Sequence, residues 1–197
     1  MSFLIKMLKY ISNQLQKIML TPNHILLNVE IVTERLLLQP ISIVYEDDIF
    51  KEFNEEITTY TYPCPARDIS ETRSFIEDSI AGMKNEKDLH CVILDKDTQE
   101  FLGCAGIHNI NGKSPELGIW LKKSAHGNGY GLETIAALKK WADNNLEYEQ
   151  LIYPVDKANI PSKRIPEKLS GKIAREFEQV NLSGRVLQII EFRIPKN

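Results

Sequence analysis

The chain alternates between short apolar runs and amphipathic stretches. Ile31 to Pro40, centred on Leu36-Leu37-Leu38, predicts a first strand. Tyr45 to Asn54 places Ile49 and Phe53 on one face and predicts a helix. Residues 57–69 carry Pro63, Pro65, Tyr60 and Tyr62 and predict a loop, and a second helix is predicted from Ser70 to Met83 with Glu71 in its first turn. His90–Leu94 and Phe101–Asn109 read as strands joined by the polar turn 95–99. Asn111-Gly112 is a hairpin signal leading into a strand at Glu116–Leu121. A helix from Leu132 to Asn144, a strand at Gln150–Val155 and a short proline-interrupted helix at 161–169 follow. A closing hairpin, Ala174–Asn181 and Val186–Ile194, turns at Ser183-Gly184. The order βααβββαβαββ specifies a mixed α/β (α+β) domain over residues 30–197.

Residues 1–29 read differently. Leu4, Leu8, Ile11, Leu15 and Ile18 form one stripe of an amphipathic helix that Thr21-Pro22-Asn23 stops. Lys9, Asn13, Gln14, Gln16 and Lys17 interrupt any secretory apolar core. This N-terminal extension is expected to pack on its own domain, to be partly disordered, or to make a dimer or membrane-surface contact, so monomer and homodimer both stay open.

Composition narrows the classes. With 43% hydrophobic and 26% charged residues, the 197-residue chain suits one globular domain. Residues 1–29 hold three lysines and no acid, so the net charge of −3 becomes −6 over the rest. That balance leaves no nucleic-acid footprint and would suit a cationic acceptor. No apolar run is long enough to cross a membrane, so no integral membrane contact is expected. Cys64, Cys91 and Cys104 are scattered and odd in number, which points to a reducing, cytoplasmic setting. His24, His90, His108 and His126 lack metal-ligand spacing, and no metal is expected.

The chemistry-bearing stretch is His126-Gly127-Asn128-Gly129-Tyr130-Gly131, between a strand and a helix start. A glycine loop that opens a helix is either an anion site, its free N–H groups aimed at a phosphate, or a flexible connector. It is not a Walker loop, because no Gly-Lys-Ser/Thr follows, and its spacing and late position do not fit a dinucleotide fingerprint. A coenzyme A pyrophosphate is the remaining common guest.

The element order with this loop resembles the GNAT superfamily of acyl-CoA-dependent N-acetyltransferases. The resemblance covers about residues 30–193. It is carried by Thr33-Glu34-Arg35-Leu36-Leu37-Leu38 with Pro40, Phe101 to Gly106, Glu116 to Leu121, Gly127 to Gly131 with Glu133 and Ala136, Asn159 with Ser162, and Glu167-Lys168-Leu169. Within the superfamily it looks most like the branch that acetylates ribosomal-protein N-termini and related amines.

The resemblance implies a central, mostly antiparallel sheet splayed between Glu116–Leu121 and Gln150–Val155, the fourth and fifth predicted strands. It implies acetyl-CoA as co-substrate and an amine acceptor, either a peptide N-terminus or a small amine. The pyrophosphate would meet residues 127–131 and His126, which stands where the family has Gln or Arg. The pantetheine arm would lie along Ile119, Trp120 and Leu121, with Trp120 alternatively a core residue, and Asn159 would meet the pantetheine or adenosine side. Glu116 is the candidate base or an exposed strand-edge residue. Ser162 is the candidate acid, a coenzyme contact or, like Asn159, a helix cap. Pro166 occupies the position of the family's acid tyrosine and is expected to break or kink its helix. Ser170-Gly171-Lys172 replaces a Gly-aromatic step. A non-catalytic acyl-CoA sensor would keep the glycine loop without a working base or acid, and an interaction protein would act through residues 1–29.

Overall fold

A computed structural model describes residues 25–196. The amphipathic stripe from Leu4 to Ile18 lies outside them.

Eight strands form one sheet in the order β1-β2-β3-β4-β5-β6-β8-β7. They are β1 (Ile31–Val32), β2 (Leu36–Pro40), β3 (Leu89–Asp95), β4 (Phe101–His108), β5 (Glu116–Leu121), β6 (Gln150–Asp156), β7 (Lys172–Val180) and β8 (Val186–Pro195). The helices are α1 (Glu46–Glu52), α2 (Ile69–Lys84), α3 (Tyr130–Asn145) and α4 (Ile160–Lys168). Every pairing is antiparallel except β5 with β6. The sequence expectation of a splayed mixed sheet holds, with one refinement. The single strand expected over Ile31–Pro40 is two strands, because Thr33 folds back and its backbone N–H donates to the Leu36 carbonyl at 2.9 Å.

The central strands are apolar on both faces because helices cover both sides. Leu89 and the run Cys91 to Leu94 are buried on β3, and Phe101 to Ile107 on β4. α2 starts where Asp68 accepts the Ser70 N–H at 2.8 Å, and it sends Ile76 and Met83 into the core. α3 contributes Ile135, Leu138 and Ala142. β7 is an outer strand whose side chains are mostly exposed, and its Lys172, Arg175, Glu176 and Glu178 discourage pairing with another chain.

Leu26 and Val29 are buried in this core, ahead of the expected domain start at residue 30. Leu26→Ala should therefore destabilise the domain by about 2–5 kcal/mol in urea unfolding. A change under about 0.5 kcal/mol, the size of a surface substitution, would place Leu26 outside the cooperative unit.

Candidate active site

The site begins where β5 leaves β6. The Glu149 N–H donates to the Lys113 carbonyl and the Ile152 N–H to the Pro115 carbonyl, both at 2.8 Å. Glu116 opposite Ile152 is then the one paired position between the two strands among the described residues. β5 goes on pairing with β4 as far as Leu121, and β6 with β8 along its whole length. The edge of β5 that faces β6 is thus left open from Leu117 onward. A cavity of about 940 Å³ fills the wedge, lined on this side by Glu116 to Trp120 and across it by Tyr153 to Asp156. An unpaired strand edge is a template for a strand-like guest with its own amides.

The glycine loop follows the end of β5, beyond the residues that line the cavity. Gly127 and Gly129 both have φ of +80°, and Gly129 is the left-handed residue that opens α3. The Glu133 N–H returns to the Gly129 carbonyl at 3.2 Å, so the amides ahead of it point off the helix end. Gly131 admits the neighbouring elements closely, since a Cβ there would meet Ile165 Cδ1 at 3.2 Å and Leu121 Cδ1 at 3.8 Å. The Asn128 side chain donates to the carbonyls of Ala125 and His126 and folds the loop on itself. One ring nitrogen of His126 lies 3.0 Å from the Leu121 carbonyl, tying the loop to the end of β5.

A second clamp explains the Thr33-Glu34-Arg35 motif. The Glu133 carboxylate accepts from Thr33 Oγ1 at 2.6 Å, from the Arg35 N–H at 3.0 Å and from Arg35 Nε at 2.8 Å. Arg35 Nη1 also donates to the Asn128 carbonyl at 2.9 Å, and the guanidinium covers the Tyr130 ring at 4.7 Å. The β1–β2 turn thereby fixes the first turn of α3. Burial opposes ionisation of Glu133, but the donors from Thr33 and Arg35 outweigh it and hold the carboxyl below its usual range.

The floor of the wedge is one face of β3, β4 and β5. Register places His90 beside Gly106, Gly106 beside Gly118, and His108 beside Glu116. The two glycines leave a hollow framed by side chains, and a Cβ on Gly118 would stand 3.2 Å from His108 Nε2. The rings of His90 and His108 meet edge to face at 4.8 Å, with Asp88 Oδ1 3.6 Å from His108 Nδ1. Asp88, His90 and His108 have ligand atoms within 4.8 Å of one another. Burial, with the charge of His108, pushes His90 down to about 4, so it is neutral near pH 7. Glu116 is half-buried with its carboxyl raised, first by burial, and also by Glu191, against the lowering effect of His108. Among the described residues no donor hydrogen-bonds it. Trp120, expected at the coenzyme, packs its ring between Phe53 at 4.9 Å and Phe101 at 5.8 Å, so its side chain belongs to the core.

On the opposite wall Asn159 caps α4, accepting the Ser162 N–H at 3.3 Å, so the capping alternative describes its side-chain oxygen. Ser162 Oγ lies 2.8 Å from the Tyr153 hydroxyl, and both line the cavity. Burial pushes the Tyr153 phenol up to about 12 while the Ser162 bond opposes it. The expected break at Pro166 does not occur, because α4 runs through it to Lys168. Pro166 sits in the last turn, where its missing N–H costs one helical bond, and its carbonyl accepts from Leu169 at 3.0 Å and Gly171 at 2.8 Å. Sequence reasoning passed over Tyr153, His90 and His108. A tyrosine in phase with buried Leu151 and Val155 is the one signal available for Tyr153, since a buried phenol needs a partner. The histidine pair exists only through the β3–β4 register.

The cavity is roofed on the β7–β8 side. The Leu182 N–H donates to the Tyr62 carbonyl at 3.0 Å, Asn181 Nδ2 to the Thr61 carbonyl at 3.2 Å, and Arg185 Nη1 to the Thr59 carbonyl at 2.7 Å. The terminal hairpin is thus clasped to the loop between α1 and α2.

Residues 35–172 match the acetyltransferase (GNAT) domain family, and the chain belongs to that family. It is an N-acetyltransferase that uses acetyl-CoA to acetylate amines. The uncharacterized protein YkkB of Bacillus subtilis is 25% identical over 158 residues, 77% of this chain and 90% of YkkB. The spermidine N-acetyltransferase of Vibrio cholerae, in complex with CoA and spermine, superposes with a TM-score of 0.73 at 15% identity, covering 83% of this chain and 97% of that one. RimL, a ribosomal L7/L12 alpha-N-protein acetyltransferase in complex with coenzyme A, gives 0.74 at 15% identity over 85% of this chain and 98% of its own. Among the described residues no helix is long and apolar enough to cross a membrane.

The left-handed φ at Gly129 makes a direct test of the loop. Gly129→Ala should cost about 1–2 kcal/mol through backbone strain. The free protein already holds this φ, so the strain should appear as lower stability in urea unfolding and, where the loop relaxes and its amides turn away, as weaker coenzyme A binding in calorimetry, with Gly131→Ala affected less. Equal affinity of Gly129→Ala and the parent would separate the loop from the coenzyme.

Proposed function

We propose that the protein acetylates a primary amine, a peptide or protein N-terminus or a small amine, by direct attack on acetyl-CoA in a ternary complex. The observation that carries this reading is the Glu116 carboxylate, half-buried and without a hydrogen-bond donor among the described residues, at the point where β5 parts from β6. A buried carboxylate with no partner is costly, and an incoming ammonium group would relieve it.

The amides of residues 127–131 and the α3 N-terminus would hold the pyrophosphate, with His126 bracing the loop through Leu121. The open edge of β5, including Ile119, Trp120 and Leu121, would bond the pantetheine arm through backbone groups. Asn159 would flank the arm from α4. Glu116 would take the proton from the ammonium, directly or through a water, and leave a neutral nucleophile. The amine nitrogen then bonds the carbonyl carbon, a β5 backbone N–H stabilises the oxyanion, and the carbon–sulfur bond breaks. Ser162, held by Tyr153, would donate a proton to the departing thiolate and regain one from water, which takes the second proton from the new amide nitrogen. Orientation in the wedge supplies much of the acceleration, worth up to about 7–11 kcal/mol. Burial pushes the Cys91 thiol up to about 12 and Cys104 well above its ordinary value, so neither serves as an acyl-carrying thiolate near neutral pH. A cytoplasmic setting fits three cysteines that form no disulfide.

Release of free thiol from acetyl-CoA across an amine panel tests the reading, and coenzyme binding without turnover of any amine would refute it. Glu116→Gln should lower kcat by about 100-fold or more, within the range for a general base, while coenzyme affinity holds. Equal turnover would remove Glu116 as base. Because Glu116 must be ionised to accept a proton and its pKa is raised, kcat/KM should fall on the acid side at a pH above the ordinary carboxylate range. Activity flat from neutral pH into that range would contradict the assignment.

A further inference from the structure

The acceptor side of the wedge has an electrostatic and apolar character that selects among amines. Four carboxylates line the cavity: Glu71, Glu116, Asp156 and Glu191. Three of them are engaged. Glu71 pairs with Arg67 at 2.5 Å. Asp156 accepts the Ala158 N–H at 2.8 Å through one oxygen and the Gln188 N–H at 3.0 Å through the other. Glu191, buried on β8, is held between Arg175 and Arg193, each at 2.6 Å. Arg175 itself lines the cavity. Among the described residues Glu116 lacks both a hydrogen-bond donor and an ion-pair partner.

The mouth is aromatic. Phe50 on α1, Tyr60 and Tyr62 on the following loop, and Phe75 on α2 all line the same cavity, yet stay 37–46% exposed. Exposed aromatic side chains gathered at one opening mark a surface that a ligand covers. The hairpin clasp at Thr59 to Tyr62 holds part of this collar in place, and Phe75 is braced edge-on by His90 at 6.0 Å.

We infer that the preferred acceptor is a small monoamine carrying an aromatic group close to its amino group, with the ammonium at Glu116 and the ring in the collar of Phe50, Tyr60, Tyr62 and Phe75. This rests on the acetyl-transfer reading above and narrows it. One cation meets the Glu116 carboxylate, and a ring fills the collar.

The test compares kcat/KM for 2-phenylethylamine, ethylamine, spermidine and a hexapeptide with an N-terminal serine, by thiol release at saturating acetyl-CoA. 2-Phenylethylamine should exceed ethylamine and spermidine by at least ~10-fold, the scale expected for burying a phenyl ring. It should also exceed the peptide. Phe75→Ala combined with Tyr62→Ala should bring 2-phenylethylamine and ethylamine to within about threefold of each other, as the ring contribution is removed. Spermidine or the peptide used as well as 2-phenylethylamine, or ethylamine equal to it, would overturn this inference and leave the transferase reading standing. Coenzyme binding with no amine turned over would overturn both.

Discussion

The separation of β5 from β6 is the constraint on which the rest of this protein's chemistry depends. The strands are held together at Glu116 and Ile152, and each is otherwise committed to a partner on its far side. Backbone groups inside a domain seek partners, so an open edge persists only where something else can occupy it. Here the consequence is a wedge with peptide groups on one wall and the Tyr153–Ser162 pair on the other. Glu116 stands at its apex because it is the last residue before the strands part.

The wedge is held open by clamps distant from one another in sequence. Glu133 gathers Thr33 and Arg35 from the β1–β2 turn onto the first turn of α3. His126 fastens the loop to the end of β5. The terminal hairpin grips the loop between α1 and α2 through three bonds to backbone carbonyls. Each clamp joins a loop or turn to a neighbouring element, which is how a site on loops gains the precision of a site on strands.

Local patterns carried most of the fold. Period-two burial in β6 and the apolar runs of β3 and β4 are written directly in the chain. The turn at Thr33 was hidden because a three-residue reversal inside an apolar run leaves no Gly or Pro mark. The core role of Leu26 and Val29 was hidden because they lie just after Thr21-Pro22-Asn23, within the stretch read as an extension. In the site, the glycine loop and Glu116 were legible because tight backbone geometry and an acid at a strand start are local features. The His90–His108 pair, Tyr153 and the arginines about Glu191 were not, because each depends on register between strands far apart in sequence. Pro166 shows the converse error: a proline near a helix end removes one bond without ending the helix.

Amide hydrogen exchange of the β5 segment, with and without coenzyme A, tests the central claim most directly. If the open edge of β5 is the seat of the pantetheine arm, amides within Leu117–Leu121 should slow on the order of 10-fold or more when coenzyme A binds, together with those at the start of α3. Protection confined to the glycine loop and α3, with β5 exchanging at its free rate while coenzyme A is bound, would contradict it.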